Sequence, residues 1–327
     1  MTPVPMDLAP EETHGFLQEA LHGLEGAEAE IEGWIADDSF TSYGKRRVVR
    51  YELKARVGEA PHDRRYQWLG KFYDRDEDAR RVAHVLKAVG ASKSGPRLGI
   101  TVPSVLAYHA PRRLLLLSYE PGESLTSAIG QDTDLILTAV GRALATLHAL
   151  PVSLTRTRSP QDVLCDLQPR IADLCARFPS EQKSLRRAFR ALGRDAPTLP
   201  DGPTFVHGDF GPANLLWRAG HVVVLDFDKC AMGDPASDLG NLFAQLFRMS
   251  IKKPEKIPDF TSARQSVLEA YERRSPADLD LERRVAWYER ATLLRKIHGL
   301  LFSKNRPQEP EAVQQRRAEA VQLLRLA

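Results

Sequence analysis

The stretch Thr204–Trp217, TFVHGDFGPANLLW, decides the fold and the chemistry of this 327-residue chain. It places Asp209 five residues before Asn214, in a turn between two apolar runs. Twelve residues after Asn214 comes Asp226, followed by Asp228, in the apolar context VVLDFD. Carboxylates at the ends of buried strands need a partner or a metal, because an unpaired buried charge is costly. The spacing therefore indicates a functional site.

These side chains are suited to phosphoryl transfer. Mg²⁺ prefers oxygen ligands and takes waters and phosphate oxygens for the rest of its shell, so Asn214 and Asp226 are the predicted metal ligands. Asp209 is the predicted catalytic residue, which orients an acceptor hydroxyl and takes its proton late in the transfer. Protein kinases use this same arrangement of Asp, Asn and downstream Asp.

The segments HGDFGPAN, DFD and GDPASDL together resemble the aminoglycoside phosphotransferase and choline kinase-like family. Gly208 matches the glycine that this family usually has where protein kinases have arginine. The resemblance implies an α+β, bilobal protein-kinase-like fold, with a small antiparallel-sheet lobe and a larger, mostly helical lobe. It implies an enzyme that uses ATP and Mg²⁺ to phosphorylate a hydroxyl of a small molecule, such as an aminoglycoside-like antibiotic, a sugar or an amino alcohol.

The resemblance also assigns nucleotide contacts in the first part of the chain. Lys71, in the predicted strand Tyr66–Tyr73, would contact the α- and β-phosphates, and a surface lysine is the alternative. The loop Ser39–Gly44 has one glycine, so serine and threonine groups such as Ser42 would contact phosphate. The residues whose backbone groups would hold adenine are Ser118, Tyr119 and Glu120.

The partner of Lys71 departs from the family's pattern. Such kinases hold this lysine with a glutamate a dozen or more residues downstream, but the chain has no Asp or Glu between Asp78 and Glu120. Glu77 is the predicted partner. The alternative is that the acids Asp74, Asp76, Glu77 and Asp78 only cap the helix.

Three further residues are predicted to support the site. His207 would hold the turn by hydrogen bonds rather than take part in the chemistry. Asp228 would contact a second metal or the substrate, or else brace the loop. Asp238 would cap the helix that starts at Leu239 and, in the family's pattern, support the catalytic loop from behind.

Strand patterns fill the first half of the chain and helical patterns the second. Glu120-Pro121-Gly122 ends an apolar strand sharply, which favours a lobe boundary there. We therefore expect a nucleotide-binding lobe over 1–118 and a catalytic and substrate-binding lobe over 119–327.

Composition excludes several classes of protein. Hydrophobic residues make up 43% and charged residues 27%, so the chain can bury a core and is not disordered. No run approaches the ~20 apolar residues of a membrane helix, and no signal peptide is recognisable. The net charge of +3 comes with scattered arginine pairs, unlike a nucleic-acid binder. The three cysteines form no CxxC pair, so we expect a cytoplasmic protein without disulfides or structural zinc.

The acceptor cannot be read from the sequence. The loop Ser250–Asp259 carries three lysines and is expected near the substrate entrance, which argues mildly against a strongly cationic acceptor. The oligomeric state is also open. A catalytically inactive nucleotide-binding regulator of the same fold is the alternative function. A protein kinase is disfavoured, because no Ala-Pro-Glu-like segment follows Asp226.

Overall fold

The computed structural model describes residues 8–38, 47–58, 63–91, 99–200, 202–302 and 309–326. The helices, in chain order, are α1 (Pro10–Glu25), α2 (Asp76–Ala91), α3 (Leu125–Ala128), α4 (Thr133–His148), α5 (Pro160–Arg177), α6 (Gln182–Arg194), α7 (Ala236–Lys252), α8 (Phe260–Glu272), α9 (Leu281–Phe302) and α10 (Pro310–Leu326). The strands are β1 (Glu30–Asp37), β2 (Val48–Arg56), β3 (Arg64–Phe72), β4 (Ile100–Thr101), β5 (Val105–His109), β6 (Leu114–Ser118), β7 (Glu123–Ser124), β8 (Thr157–Arg158), β9 (Thr204–Val206), β10 (Leu215–Arg218), β11 (His221–Val224) and β12 (Ala231–Gly233). The predicted α+β class is confirmed.

An antiparallel five-stranded sheet, in the order β1-β2-β3-β6-β5, forms the centre of the N-terminal part. Residues of β2 alternate in burial, with Val49, Tyr51 and Leu53 on the buried face. Successive side chains of a strand point to opposite faces, so this period of two places one face in a core. Phe16 and Leu17 of α1 belong to the same core cluster. The predicted small antiparallel sheet is confirmed.

The chain divides into two compact units after Pro121. Of the described residues, those up to 91 and those from 102 to 121 form the first unit, and the second takes 99–101 and everything from Gly122 onward. The short strand β4 belongs to the second unit because it pairs in parallel with β11, Ile100 opposite Val222. The functional division into lobes 1–118 and 119–327 stays a prediction.

Helices dominate the second unit, and α9 packs closely on α7. A Cβ placed on Gly240 of α7 would lie 2.6 Å from the Cβ of Tyr288 in α9, so only glycine permits this approach. Val285, Leu294 and Ile297 of α9 are also buried. These contacts fix α9, and with it the charged residues that α9 carries toward the turn after β9.

Two small sheets hold the turn that the sequence singled out. β9 pairs with β12, which pairs in parallel with β8, while β10 pairs with β11. The segment 207–214 leaves the first of these sheets and enters the second. Val206 at its start and Leu215 at its end are both buried. The polar turn is therefore anchored on each side by an apolar strand.

Candidate active site

His207 fixes the turn from inside. Its ring is fully buried and accepts a hydrogen bond at Nδ1 from the backbone N–H of Asp209, at 3.2 Å. Because Nδ1 accepts, Nε2 carries the proton and donates to the carbonyl of Leu225, at 2.8 Å. The imidazole thus ties the turn to the end of β11, next to Asp226. Both of its nitrogens are engaged in structural bonds.

Asp238 lies beneath the same turn and is fully buried. Its carboxylate accepts hydrogen bonds from the backbone N–H groups of His207 (2.7 Å) and Gly208 (2.8 Å) and from Nε2 of His148 (3.1 Å). Burial raises the pKa of Asp238, but the bond from His148 and the neighbouring donors outweigh burial and lower the pKa. Nδ1 of His148 lies 2.9 Å from the Tyr271 hydroxyl. These four side chains, those of His148, His207, Asp238 and Tyr271, form what we term the buried brace.

The observed role of Asp238 therefore differs from the helix-capping role expected from the sequence. Helix α7 already begins at Ala236, and Asp238 lies in its first turn. The carboxylate bonds amides of another segment rather than the free amides of α7.

Gly208 permits a close crossing of two segments. Its φ of +78° lies in the left-handed region, and a Cβ at this position would lie 2.3 Å from the carbonyl oxygen of Lys229. Both conditions require glycine. The crossing brings Lys229 beside the turn and so determines which charge faces Asp209.

Asp209 is about 20% exposed and forms an ion pair with Lys229, with 2.6 Å between Oδ2 and Nζ. Burial alone would raise the pKa of Asp209. The positive charges of Lys229, Lys296 and Arg295 outweigh burial and lower the pKa to about 2. The carboxylate is therefore ionised near neutral pH, and its surroundings are cationic.

Asn214 and Asp226 flank the end of the β10–β11 hairpin. The amide Nδ2 of Asn214 donates to the backbone carbonyl of Asp209, at 3.0 Å. The backbone N–H of Leu225 donates to the carbonyl of Asn214, at 2.9 Å, and Asp226 is the next residue. Asp226 has a φ of +59°, an uncommon conformation for a residue with a side chain and one that is often retained at functional sites.

This donor set suits a hard cation that is shared with phosphate oxygens. Asn214 offers an amide oxygen and Asp226 a carboxylate, and Mg²⁺ binds to such oxygens while keeping other ligands from substrate and water. Within the described ranges, no group of three or more His, Cys, Asp or Glu side chains forms a cage that could hold a metal alone. Asp228 lies two residues beyond Asp226 in a short 3₁₀ turn, and its carbonyl accepts a bond from Arg156, at 3.4 Å.

The remaining predicted residues lie in the first unit. Lys71 lies in β3, opposite Val48 on one side and Leu115 on the other. Glu77 lies in the first turn of α2, is 75% exposed and forms an ion pair with Arg75. The contact found for Glu77 is thus with Arg75, and its pairing with Lys71 stays a prediction.

The predicted adenine-binding segment is held within the first sheet. The backbone N–H of Ser118 donates to the carbonyl of Ser104 (2.9 Å), and that of Tyr119 donates to the carbonyl of Gln67 (3.0 Å). The Ser118 hydroxyl donates to the Glu120 carboxylate, at 2.7 Å. Adenine contacts from Ser118 and Tyr119 would therefore use their carbonyls, since each residue has a single backbone donor. Ser42 and its loop lie outside the described residues.

The cations around Asp209 were not apparent from the sequence pattern. Lys229 ends the run DFDK and could have been noticed beside Asp226, but Arg295 and Lys296 lie on α9, far along the chain. For the loop Ser250–Asp259, a position near the substrate entrance stays a prediction. Lys256 donates to the carbonyls of Thr126 and Ser127, at 2.9 and 2.7 Å.

Several solved structures with this fold are antibiotic phosphotransferases. A thermostable mutant of aminoglycoside phosphotransferase APH(4)-Ia, in complex with ADP and hygromycin B, matches with a TM-score of 0.59 and 16% identity, over 94% of this chain and 98% of that one. Aminoglycoside phosphotransferase APH(2")-IIa, in complex with gentamicin, matches with a TM-score of 0.58 and 16% identity, over 97% of both chains. Macrolide 2'-phosphotransferase type I matches with a TM-score of 0.54 and 17% identity, over 97% of this chain and 98% of that one.

The fold and the turn define a kinase-like phosphotransferase architecture, and the sequence agrees. The sequence pattern of the Phosphotransferase enzyme family (APH) matches residues 56–281. The chain belongs to this family. Among curated proteins, none is a significant sequence match.

Proposed function

We propose that the chain is an ATP-dependent phosphotransferase that transfers the γ-phosphate to a hydroxyl group of a small molecule. The observation that carries this proposal is the bond from Nδ2 of Asn214 to the carbonyl of Asp209, at 3.0 Å. It fixes a carboxylate and an amide on one short turn, directly beside Asp226. Family membership and the fold shared with enzymes solved with ADP support the same activity.

Asp209 acts by position more than by basicity. With a pKa of about 2, it is ionised but is a weak base for an alcohol. Its Oδ2 bonds Lys229, so Oδ1 is the atom we assign to the acceptor hydroxyl. As the acceptor oxygen bonds to the γ-phosphorus and the bond to ADP breaks, the hydroxyl proton passes to Asp209.

Asn214 and Asp226 are the side chains that would hold Mg²⁺ with the nucleotide. The ion supplies neutralisation of phosphate charge during transfer. Lys71 is proposed to contact the α- and β-phosphates. The carbonyls of Ser118 and Tyr119 and the backbone groups of Glu120 are proposed to contact adenine. The buried brace keeps the turn in place, so little reorganisation is needed when substrates bind.

We further propose a cytoplasmic location, where ATP is available. All three cysteines are free thiols, and two of them, Cys175 and Cys230, are buried. Such thiols fit a reducing compartment. None of the helices in the described ranges has the length and apolar character required to cross a membrane.

The test is Mg·ATP-dependent ADP release over a panel of small alcohols, with the wild type and an Asp209→Asn variant. We expect turnover with at least one acceptor, and a loss of about 10³-fold in kcat for the variant, because the aligned proton acceptor is removed. The Kd for Mg·ATP, measured by calorimetry, should change little.

The matched control is Asp195→Asn, at an aspartate that is 42% exposed and pairs with Arg194. Its turnover should equal that of the wild type. Undiminished turnover in Asp209→Asn would contradict the assignment of Asp209. Tight binding of Mg·ATP without ADP release on any acceptor would favour the alternative, a nucleotide-binding regulator.

A further inference from the structure

A cavity of about 390 Å³ opens beside Asp209 within the second unit. The described residues that line it are Arg156, Arg158, Asp166, Arg170, Asp209, Lys229, Arg295 and Lys296. Six cationic side chains and two carboxylates give this lining a formal charge of +4. We call this space the cationic cavity. Its size is that of a small-molecule site.

The cavity adjoins the proposed catalytic residue rather than the proposed metal ligands. Its described lining includes Asp209 but neither Asn214 nor Asp226, the proposed metal ligands. The lining comes instead from β8, α5, α9 and the segment that follows β11. A hydroxyl that reaches Asp209 from this space would place the rest of its molecule among the cations.

The carboxylates of the cavity are already paired. Asp209 bonds Lys229, and Asp166 bonds Arg170 one helical turn away in α5. Arg295 donates to a neutral amide, Oδ1 of Asn241, at 2.9 Å. Within the described part of the chain, no carboxylate forms an ion pair with Arg158, Arg295 or Lys296.

The surplus charge is held in place and has an energetic cost. Asn241 also donates to the carbonyl of Phe210, at 2.8 Å, so Arg295 is connected to the turn that carries Asp209. Burial lowers the pKa of Lys296 to about 8. The nearby Arg295 also lowers this pKa, whereas Asp209 raises it. Like charges that converge in a partly desolvated space repel each other and attract an anion.

A small chamber of about 30 Å³ adjoins the cavity and shares Arg158, Asp166 and Arg295 with it. Tyr288 lines this chamber and is 3% exposed. Its hydroxyl has no hydrogen-bond partner among the described residues. A buried hydroxyl without a partner is costly, and an oxygen-rich ligand group or a water would satisfy it.

We propose that the acceptor of this enzyme is an anionic alcohol, a small hydroxyl compound that carries a carboxylate or a phosphate group. This inference rests on the proposed phosphotransferase function. The anionic group binds to Arg158, Arg295 and Lys296, and the hydroxyl reaches Asp209. The acceptor oxygen gains the γ-phosphorus, the bridging oxygen leaves with ADP, and the proton passes to Asp209. Aminoglycosides are polycations, so this lining would repel them.

The first experiment measures binding without turnover. Calorimetric titrations use protein saturated with Mg·AMP-PNP and two matched series: glucosamine, glucose, gluconate and glucose 6-phosphate; and glycerol, glycerate and glycerol 3-phosphate. At least one anion should bind tenfold or more tightly than its neutral counterpart. The carboxylate and phosphate members separate the two kinds of anionic group.

Variants then connect binding to the cavity. Lys296→Gln and Arg158→Gln should each weaken binding of that anion about fivefold or more, while the Kd for Mg·AMP-PNP stays within twofold. The control is Arg194→Gln, at an arginine that is 73% exposed on α6. It should leave both affinities unchanged.

Three results would overturn the inference: no anion of the panel binds; neutral or cationic members bind as tightly as the anions; or the cavity variants weaken only the binding of the nucleotide, which would assign these cations to ATP.

ADP release distinguishes the anionic-acceptor proposal from the phosphotransferase proposal. Release on neutral or cationic alcohols alone would leave the phosphotransferase standing and refute the anionic acceptor. Anion binding without release on any acceptor would refute the phosphotransferase instead.

Discussion

The turn at Asp209 separates two regions with opposite electrostatics. In the buried brace below it, the carboxylate of Asp238 accepts three hydrogen bonds and is fully buried. In the cationic cavity above it, Asp209 meets more positive charge than it can neutralise. The pKa of each aspartate is lowered, but for different reasons: in the brace by hydrogen bonds and nearby histidines, in the cavity mainly by surrounding cations.

The comparison indicates that one region stabilises the fold and the other is kept for binding a ligand. A satisfied buried network stabilises the fold and resists change. A cluster of like charges destabilises the fold and is kept where a ligand compensates it. Removing a member of the brace should therefore destabilise the protein, and removing a cation of the cavity that has no carboxylate partner, such as Lys296, should not.

The largest effect is expected for Asp238→Ala. The change leaves two backbone N–H groups and His148 without their acceptor in a fully buried place. We expect a loss of about 3 to 5 kcal/mol in the free energy of unfolding, measured by urea denaturation. Asp195→Ala, at an exposed site, is the control. A loss below about 1 kcal/mol for Asp238→Ala would show that the brace does not hold the turn.

Lys296→Gln should increase the free energy of unfolding, the opposite of the effect of Asp238→Ala. Because the pKa of Lys296 is lowered to about 8, the unfolded chain binds its proton more tightly, and the charged lysine opposes folding at neutral pH. We expect the variant to be more stable at pH 7 by about 2 kcal/mol. The wild type regains stability as pH rises from about 8 toward the ordinary lysine pKa, so the difference should shrink there.

The control for that comparison is Lys183→Gln, at an exposed lysine of α6. It should change stability by less than about 0.5 kcal/mol at any pH between 7 and 10. A destabilised Lys296→Gln would mean that the cations of the cavity stabilise the fold, contrary to the division described above.

The acid titration of Asp209 gives an effect of similar size. Its pKa is lowered to about 2, so the stability that it contributes is present above the ordinary aspartate pKa and is lost as pH falls toward 2. The difference in unfolding free energy between the wild type and Asp209→Asn should fall by about 2 kcal/mol over that interval. In a Lys229→Gln background the fall should be smaller and should end at higher pH, because the first opposing charge is gone and the folded-state pKa is less lowered. A difference that does not vary with pH would contradict the cationic environment.

Tyr271→Phe tests the outer end of the brace. Its hydroxyl lies 2.9 Å from Nδ1 of His148, and the residue is 3% exposed. Loss of this bond should cost about 1 kcal/mol in thermal or urea unfolding. Tyr288→Phe is the matched comparison, since the Tyr288 hydroxyl has no partner among the described residues. That variant should be neutral or more stable, and equal losses in both would contradict the assigned contacts.

Much of the candidate site was predictable, because its residues are close in sequence. The spacing of Asp209, Asn214 and Asp226 follows from one turn and one hairpin, and hairpin register places residues at the two strand ends side by side. Gly208 could be assigned from the family resemblance alone. The role of Asp238 was predicted in part: support of the loop, but through the backbone amides of His207 and Gly208 rather than as a helix cap.

Other contacts could not be predicted from sequence patterns. An ion pair such as Glu77 with Arg75 depends on rotamers and exposure, which periodicity does not encode. The sequence likewise does not show that Lys256, in the loop Ser250–Asp259, donates to backbone carbonyls of α3. The position of a charged residue in the sequence does not show which distant residues it will contact.

The sequence by itself determined the class of fold, the turn that carries Asp209 and the oxygen donors beside it, because these depend on local spacing and on the alternation of apolar residues. Only the tertiary structure decided the charge that surrounds Asp209. Most of the cations come from β8, α5 and α9, which the packing of the second unit brings to one cavity. Electrostatic interactions act through space, so the sign of the charge around Asp209 depends on which distant elements converge there and not on any one stretch of the chain.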